Sequence, residues 1–219
     1  MQEQQAPFSL RDLFKREQLS SLLMAATLLG VAYVFEHFAN VYAFAYLTRP
    51  TSNHVGDLLL DNLPIVDLNF IIIEAALISI VVGTLFVLSR PRYILFTLKA
   101  LALFIITRAI FISLTHVGIY PGHIAPELGF FDAIYMYFNF QTGMFFSGHT
   151  GLPFLAALIF WKKPLTRYIL LSLSFIFGVS VLFAHIHYSI DVFAAPFMAY
   201  CIFKISQRLF PRDYELIKD

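Results

Sequence analysis

Six stretches of this sequence are long and apolar enough to cross a lipid bilayer, and they take up most of the chain. A transmembrane helix requires about 20 mostly apolar residues. The stretches cover roughly 20–47, 68–88, 93–115, 143–161, 168–188 and 189–210. Only 13% of the residues are charged, about half the share in an average soluble domain, so polar groups cannot cover the chain. We therefore predict an all-α, integral membrane six-helix bundle.

Lysines and arginines fall almost entirely on alternate connecting segments. The N-terminal, second-to-third, fourth-to-fifth and C-terminal segments carry twelve of them, whereas the other loops carry only Arg49. Positively charged loops stay in the cytoplasm, so we predict that both termini are cytoplasmic. The outward loops are then 48–67, 116–142 and about 186–190. The predicted organisation is a cytoplasmic lead-in helix (1–19), a six-span catalytic membrane domain (20–210) and a cytoplasmic tail (211–219).

Overall charge and cysteine content exclude some partners and some kinds of site. The net charge of +1 provides no large basic field for nucleic acid. The single cysteine, Cys201, excludes an internal disulfide and a multi-cysteine metal site. The oligomeric state stays open.

Most of the histidines lie in the predicted outer loops or at outer helix ends, six of the seven. His187 and Asp191 are four residues apart, which places them on one helix face, where the carboxylate can orient the imidazole. The second ring nitrogen can then act as a nucleophile or base. His149 lies in a Ser-Gly-His-Thr string at the predicted outer start of the fourth span. Two separate segments thus bring acid–base groups to one side of the membrane, and a third segment adds a cation, Arg108.

Two further features favour phosphate binding on that side. Ser147 and Gly148 would open a helix with a serine cap and unpaired backbone N–H groups, which bind anions. Arg108, about two-thirds of the way out along the third span, can bind phosphate oxygens in a bidentate manner. We select Asp132, in the outer loop, as a possible acid relay to His149. Two other buried charges receive structural interpretations: Glu36 as part of an interhelical hydrogen-bond cluster and Lys99 as a snorkelling side chain.

These motifs resemble those of the type 2 phosphatidic acid phosphatase superfamily, and most closely its sphingomyelin synthase branch. The strings that carry the resemblance are Phe-Ser-Gly-His-Thr at 146–150 and Ala-His-Ile-His-Tyr-Ser-Ile-Asp-Val at 184–192. The resemblance implies that His187 attacks phosphorus, that Asp191 orients it, and that His149 protonates the leaving alcohol. It also implies phosphate or substrate binding by Arg108, Ser147, Gly148, His185 and Tyr188. It implies no metal and no cofactor.

Departures from the family patterns bear on the reaction. The classical phosphatases carry a Ser-Arg pair where this chain has Ser180-Val181, which favours the synthase branch. The eukaryotic synthases have acidic residues where this chain has Met144 and Ile186, so its head group can differ from theirs.

The sequence therefore predicts a membrane lipid phosphotransferase, with membrane lipids as substrates and the site on the extracytoplasmic side. A phospho-head group would pass from a glycerophospholipid to ceramide or diacylglycerol through a phosphohistidine. The alternative at the same site is a lipid phosphate phosphatase or phospholipase C-like hydrolase. A haem protein is a weaker alternative because the histidines cluster at the outer edge, and a non-enzymatic carrier because no repeat with broken helices is visible. A zinc site at His149, His187 and Asp191 is conceivable by ligand type, but the family resemblance argues against it.

Overall fold

The computed structural model describes residues 8–47, 54–115, 117–122 and 145–218, and within them the regular structure is entirely helical. A short 3₁₀ turn, Leu10–Phe14, precedes the first helix, and a π-helical turn, Phe70–Ala75, leads into the second. The described α-helices are α1 (Arg16–Leu47), α2 (Ala76–Leu88), α3 (Pro91–Leu114), α4 (Gly148–Ile159), α5 (Pro164–Phe183), α6 (Ser189–Leu209) and α7 (Pro211–Lys218).

Five helical segments in the described part of the chain are long and apolar enough to cross a membrane. They are α1, the π turn continued by α2 (Phe70–Leu88), α3, α5 and α6. The all-helical class and several long apolar helices are therefore confirmed, as a multi-pass membrane protein requires. The predicted count of six spans is not confirmed. Helix α4 is apolar but has only 12 residues, and the first residues of the predicted fourth span, before Phe145, lie outside the described ranges.

Helix boundaries follow local chemistry. Pro91 and Pro164 begin α3 and α5, where the missing N–H of proline has no helical partner to lose. Ser147 caps α4 by accepting a hydrogen bond from the Thr150 amide at 3.4 Å. At the N-terminal end, α1 begins at Arg16, four residues earlier than the predicted span.

The bundle packs closely because small residues line the contact between α1 and α3. Small side chains of this kind allow the backbones of the two helices to approach closely. The buried alanines of α1 are spaced by about two turns and, for the last pair, by about one turn: Ala25, Ala32, Ala39 and Ala43. On the other side of α3, helices α4 and α6 pack around a core that includes Phe96, Phe104, Leu155 and Phe203. Helix α3 thus lies at the centre of the described bundle.

The basic connecting segments lie at one end of the bundle. These segments line one shared cavity, through Lys15 before α1, Arg90 at the α2–α3 turn, Lys163 at the α4–α5 turn and Leu216 in α7. This geometry places the predicted cytoplasmic segments together, while the side of the membrane they face stays a prediction.

The snorkelling interpretation of Lys99 is wrong. Its side chain is 3% exposed and its Nζ lies 2.5 Å from Asp213 Oδ2 in α7. The ammonium therefore ends in a buried ion pair and not in water. The sequence pattern did not reveal this pair because Asp213 lies 114 residues away in a segment interpreted as a tail.

Candidate active site

The N-terminus of α6 holds the histidine–aspartate pair. His187 Nδ1 lies 3.3 Å from Asp191 Oδ2, and both side chains are buried. The same carboxylate oxygen accepts a hydrogen bond from the Tyr188 amide at 3.1 Å, which fixes its position. Because a carboxylate only accepts, the proton of neutral His187 sits on Nδ1. Nε2 then carries the lone pair that a nucleophile needs.

The second histidine stands at the start of α4. His149 Nε2 lies 3.1 Å from the carbonyl oxygen of Ile72, a residue of the π-helical turn. A carbonyl oxygen only accepts, so this contact places a proton on Nε2. A π turn interrupts the regular i→i−4 pattern and frees a carbonyl for such a bond, and such turns are frequent at functional sites.

The two histidine motifs meet in space. The rings of His149 and His187 have centroids 6.1 Å apart and are inclined by 69°. The Ser147 amide donates a 3.0 Å hydrogen bond to the Asp191 carbonyl, which joins the start of α4 to the start of α6. Two segments separated by a complete helical hairpin therefore place their imidazoles side by side.

Arg108 of α3 completes this cluster. Its guanidinium is buried, and Nε donates to the carbonyl of Phe146 at 3.1 Å. A Cβ placed on Gly148 would lie 3.6 Å from Arg108 Nε, so the guanidinium lies directly against the N-terminus of α4. A positive side chain and the positive end of a helix dipole thus coincide.

Glu36 pairs with Arg108, a contact that the sequence analysis did not predict. Its Oε1 accepts a 2.7 Å hydrogen bond from Arg108 Nη1, whereas its Oε2 is buried with no hydrogen-bond partner in the described part of the chain. The interpretation of Glu36 as part of an interhelical hydrogen-bond cluster did not include its partner Arg108. The available signal was that an acid and an arginine inside apolar spans normally pair with each other.

His185 and Tyr188 lie beside the cluster in different roles. His185 has a left-handed backbone (φ 54°), is 4% exposed, and neither ring nitrogen has a hydrogen-bond partner among the described residues. Its ring packs edge-on against Tyr120 at 5.3 Å. The Tyr188 hydroxyl donates to the Gly118 carbonyl at 2.8 Å, so it holds the loop after α3 against the start of α6.

Two loop residues that the sequence did not indicate support the rim of the site. Asp57 Oδ2 accepts the Ser189 amide at 2.7 Å. Burial raises the pKa of Asp57, but the hydrogen bonds from Ser189 and its own loop outweigh this effect and hold the pKa below its usual value. The Tyr120 hydroxyl donates to Asp61, and this bond raises the pKa of Tyr120 to about 12. Asp57 thus anchors α6 as an anion, and Tyr120 stays neutral.

The structure therefore brings together six of the predicted site residues: Arg108, Ser147, Gly148, His149, His187 and Asp191. Asp132, predicted as an acid relay, lies outside the described residues. The chemical roles of all these residues stay predictions.

One comparison with known proteins bears on this cluster. Residues 142–208 match the family model of the PAP2 superfamily C-terminal domain. The matched stretch includes both histidine motifs and covers about a third of the chain. It supports the PAP2 superfamily, and with it an enzyme of the phosphatase or phosphotransferase type that acts on phosphate esters of lipids. No curated protein and no solved structure matches the chain.

Proposed function

We propose that this protein is a membrane lipid phosphotransferase, similar to the sphingomyelin synthases, that moves a phospho-head group from a glycerophospholipid to ceramide or diacylglycerol. The observation that carries the proposal is the His187–Asp191 pair facing His149, with Arg108 against the N-terminus of α4. A phosphoryl-type transfer needs these parts: an oriented nucleophile, an acid and a cationic phosphate site.

In the first step, His187 Nε2 attacks phosphorus as the bond from phosphorus to the diacylglycerol oxygen breaks. Asp191, at 3.3 Å from Nδ1, stabilises the positive charge that develops on the imidazole. His149 enters the step as an imidazolium: it keeps the Nε2 proton on the Ile72 carbonyl and donates its second proton, on Nδ1, to the leaving oxygen. Arg108 and the first amides of α4 stabilise the negative phosphoryl oxygens. The products of this step are diacylglycerol and a phosphohistidine that carries the head group.

In the second step, the hydroxyl of the acceptor attacks the same phosphorus and the nitrogen–phosphorus bond breaks. His149, now neutral, takes the hydroxyl proton, which returns both histidines to their starting states. Transfer and hydrolysis differ only in whether this hydroxyl belongs to a lipid or to water. The burial of His187 and Asp191 favours the lipid, because a buried phosphohistidine is shielded from bulk water.

The proposed site faces the extracytoplasmic leaflet. This side follows from the positive-inside distribution of Lys and Arg and from the position of the site at the end of α3 opposite the basic segments.

The test is turnover in detergent or liposomes, with fluorescent ceramide and fluorescent diacylglycerol offered against a panel of phospholipid donors. Wild type, His187→Ala and His149→Ala are compared with the control His37→Ala, which removes an exposed histidine of α1. A new phospholipid that appears with wild type and the control, but not with the two site variants, supports transfer and identifies donor and acceptor.

The second candidate is hydrolysis at the same site, as in a lipid phosphate phosphatase or a phospholipase C-like enzyme. The PAP2 match favours it as much as transfer, because that match supports phosphate-ester chemistry without specifying the acceptor. Release of phosphate or of a phospho-head group with no new lipid would select this alternative. If wild type forms neither product from any donor, the catalytic proposal is wrong.

A further inference from the structure

A cavity of about 970 Å³ lies at the end of the bundle opposite the candidate active site, and the proposed chemistry makes no use of it. Arg92, in its lining, and Arg108, in the site, are 16 positions apart in α3. At about 1.5 Å per residue, this places them about 24 Å apart along the helix. The cavity is therefore too distant to form part of the active site.

The lining of this cavity is basic. Lys15, Arg90, Arg92 and Lys163 contribute to it, together with two acids, Asp12 and Glu17. Lys15 is paired with Asp12 at 2.5 Å. The other three cations come from two separate helix junctions, are half-buried, and form no ion pair in the part of the chain that the structure describes. The cavity therefore offers an anion three cations outside ion pairs, opposed by one further acid in the lining, Glu17.

Aromatic contacts hold the arginines in place. The Arg90 guanidinium lies 3.9 Å from the centre of the Phe86 ring, and that of Arg92 lies 5.7 Å from the Tyr93 ring. Stacking of this kind fixes the planar group while its N–H donors stay directed outward. A preoriented guanidinium suits the bidentate recognition of a phosphate group.

The surroundings place the cavity at the depth of lipid head groups. Trp161, two residues before Lys163, is 50% exposed, and Tyr168 is 60% exposed. Exposed tryptophan and tyrosine at a helix end mark the membrane–water interface. Phe14, beside Lys15, is 71% exposed, which fits contact with acyl chains. Basic pockets between spans at this level bind the head groups of anionic lipids.

We propose that this cavity, lined by Arg90, Arg92 and Lys163, binds the phosphate of an anionic phospholipid in the leaflet opposite the active site. The lipid would bridge the α2–α3 and α4–α5 junctions and stabilise the relative position of α3 and α4. Because the site is separate from the catalytic cluster, it does not depend on the proposed function.

The single tryptophan of the chain, Trp161, allows a direct test. The full-length protein is placed in phosphatidylcholine nanodiscs with increasing amounts of dansyl-labelled phosphatidylserine, and energy transfer from Trp161 is measured. The Arg90→Gln/Arg92→Gln/Lys163→Gln variant is expected to weaken binding by at least about tenfold. The matched control Lys162→Gln/Arg208→Gln/Arg212→Gln removes three exposed cations that do not line the cavity, and we expect it to retain wild-type binding.

A second variant covers the case in which the triple substitution fails to fold. Glu17→Gln removes an exposed acid from the lining and is expected to tighten binding by about threefold, a gain that misfolding cannot produce. The proposal would be overturned if the cavity variant and the control variant lost lipid binding to the same extent. It would also be overturned if energy transfer to a zwitterionic dansyl lipid equalled that to dansyl-labelled phosphatidylserine. Full competition by glycerol 3-phosphate would also overturn it, because the ligand would then be a soluble phosphate ester.

Discussion

Helix α3 carries two buried cations, Lys99 and Arg108, whose surroundings differ. Lys99 lies in a closed cluster: its Nζ donates to Ser21 Oγ at 2.7 Å and to Asp213 Oδ2 at 2.5 Å. Ser21 in turn donates to Asp213 Oδ1 at 2.7 Å. Arg108 lies in the candidate active site, where Glu36 Oε2 has no partner among the described residues. The first cluster satisfies its own members, whereas the second retains unused polar capacity.

This difference separates a structural ion cluster from a chemical one. Burying a charge is costly unless it is paired and hydrogen-bonded, so a closed triangle needs no ligand to explain it. A buried acceptor without a partner costs free energy, and Glu36 Oε2 leaves such an acceptor beside Arg108. We therefore expect substitutions at Lys99 to change stability, and substitutions around Arg108 to change turnover.

The largest effect is expected for Asp191→Asn. The asparagine side chain has an NH₂ group in place of one carboxylate oxygen, so it no longer holds the acceptor for the His187 Nδ1 proton in a defined orientation. His187 then loses the tautomer that leaves Nε2 unprotonated. We expect turnover to fall by about 10³- to 10⁴-fold, measured in the fluorescent lipid assay. The control Asp67→Asn alters an exposed carboxylate that accepts a 3.0 Å hydrogen bond from the Asn69 amide. A decrease of less than about tenfold in Asp191→Asn would mean that this carboxylate does not orient the nucleophile.

Lys99→Met tests the closed cluster. Removal of one partner leaves Asp213 buried without its counter-charge, and we expect the free energy of unfolding to fall by about 3–5 kcal/mol. Turnover per folded molecule should not change. The double variant Lys99→Met/Asp213→Leu should recover most of the stability, as measured by thermal or denaturant unfolding in detergent. Loss of turnover in the fully folded double variant would contradict the comparison.

Glu36→Gln tests the positioning of Arg108. Replacing the carboxylate weakens a charge-assisted hydrogen bond worth about 1.5–3 kcal/mol, so we expect kcat/KM to fall by about 10- to 100-fold. The pH profile should keep its shape, because Glu36 transfers no proton in the proposed mechanism. Glu215→Gln serves as the control, since it alters an exposed carboxylate of α7. A shifted pH profile in Glu36→Gln would instead assign an acid–base role to this residue.

The smallest effect is expected for Asp57→Asn, which weakens the anchor of α6. We expect the free energy of unfolding to fall by about 1 kcal/mol at neutral pH, an effect typical of losing a helix cap. The folded state holds the pKa of Asp57 below its usual value, so its stabilisation is complete above about pH 4 and disappears as the pH falls through the folded-state pKa. The free energies of unfolding of wild type and Asp57→Asn, measured at neutral and acidic pH, should become equal in acid. A difference that is independent of pH would exclude the ionised carboxylate as the cause.

The residues that the sequence placed correctly were those near one another in the chain or in a short motif. His187 and Asp191 are one helical turn apart, so their contact follows from helix geometry alone. Ser147 as a helix cap follows from a similarly local rule. By contrast, Glu36 with Arg108 and Lys99 with Asp213 are 72 and 114 positions apart, and no local pattern specifies such partners.

By itself, the sequence determined the helical class, the long apolar spans and the two histidine motifs, because hydrophobic length and i, i+4 spacing are local properties of the chain. Only the tertiary structure decided which buried charges pair, that the rings of His149 and His187 lie 6.1 Å apart, and that three basic residues from two junctions surround one cavity. The physical reason is that helix packing selects one arrangement of the spans. Within that arrangement, the buried charges of Lys99 and Arg108 find their partners on other helices.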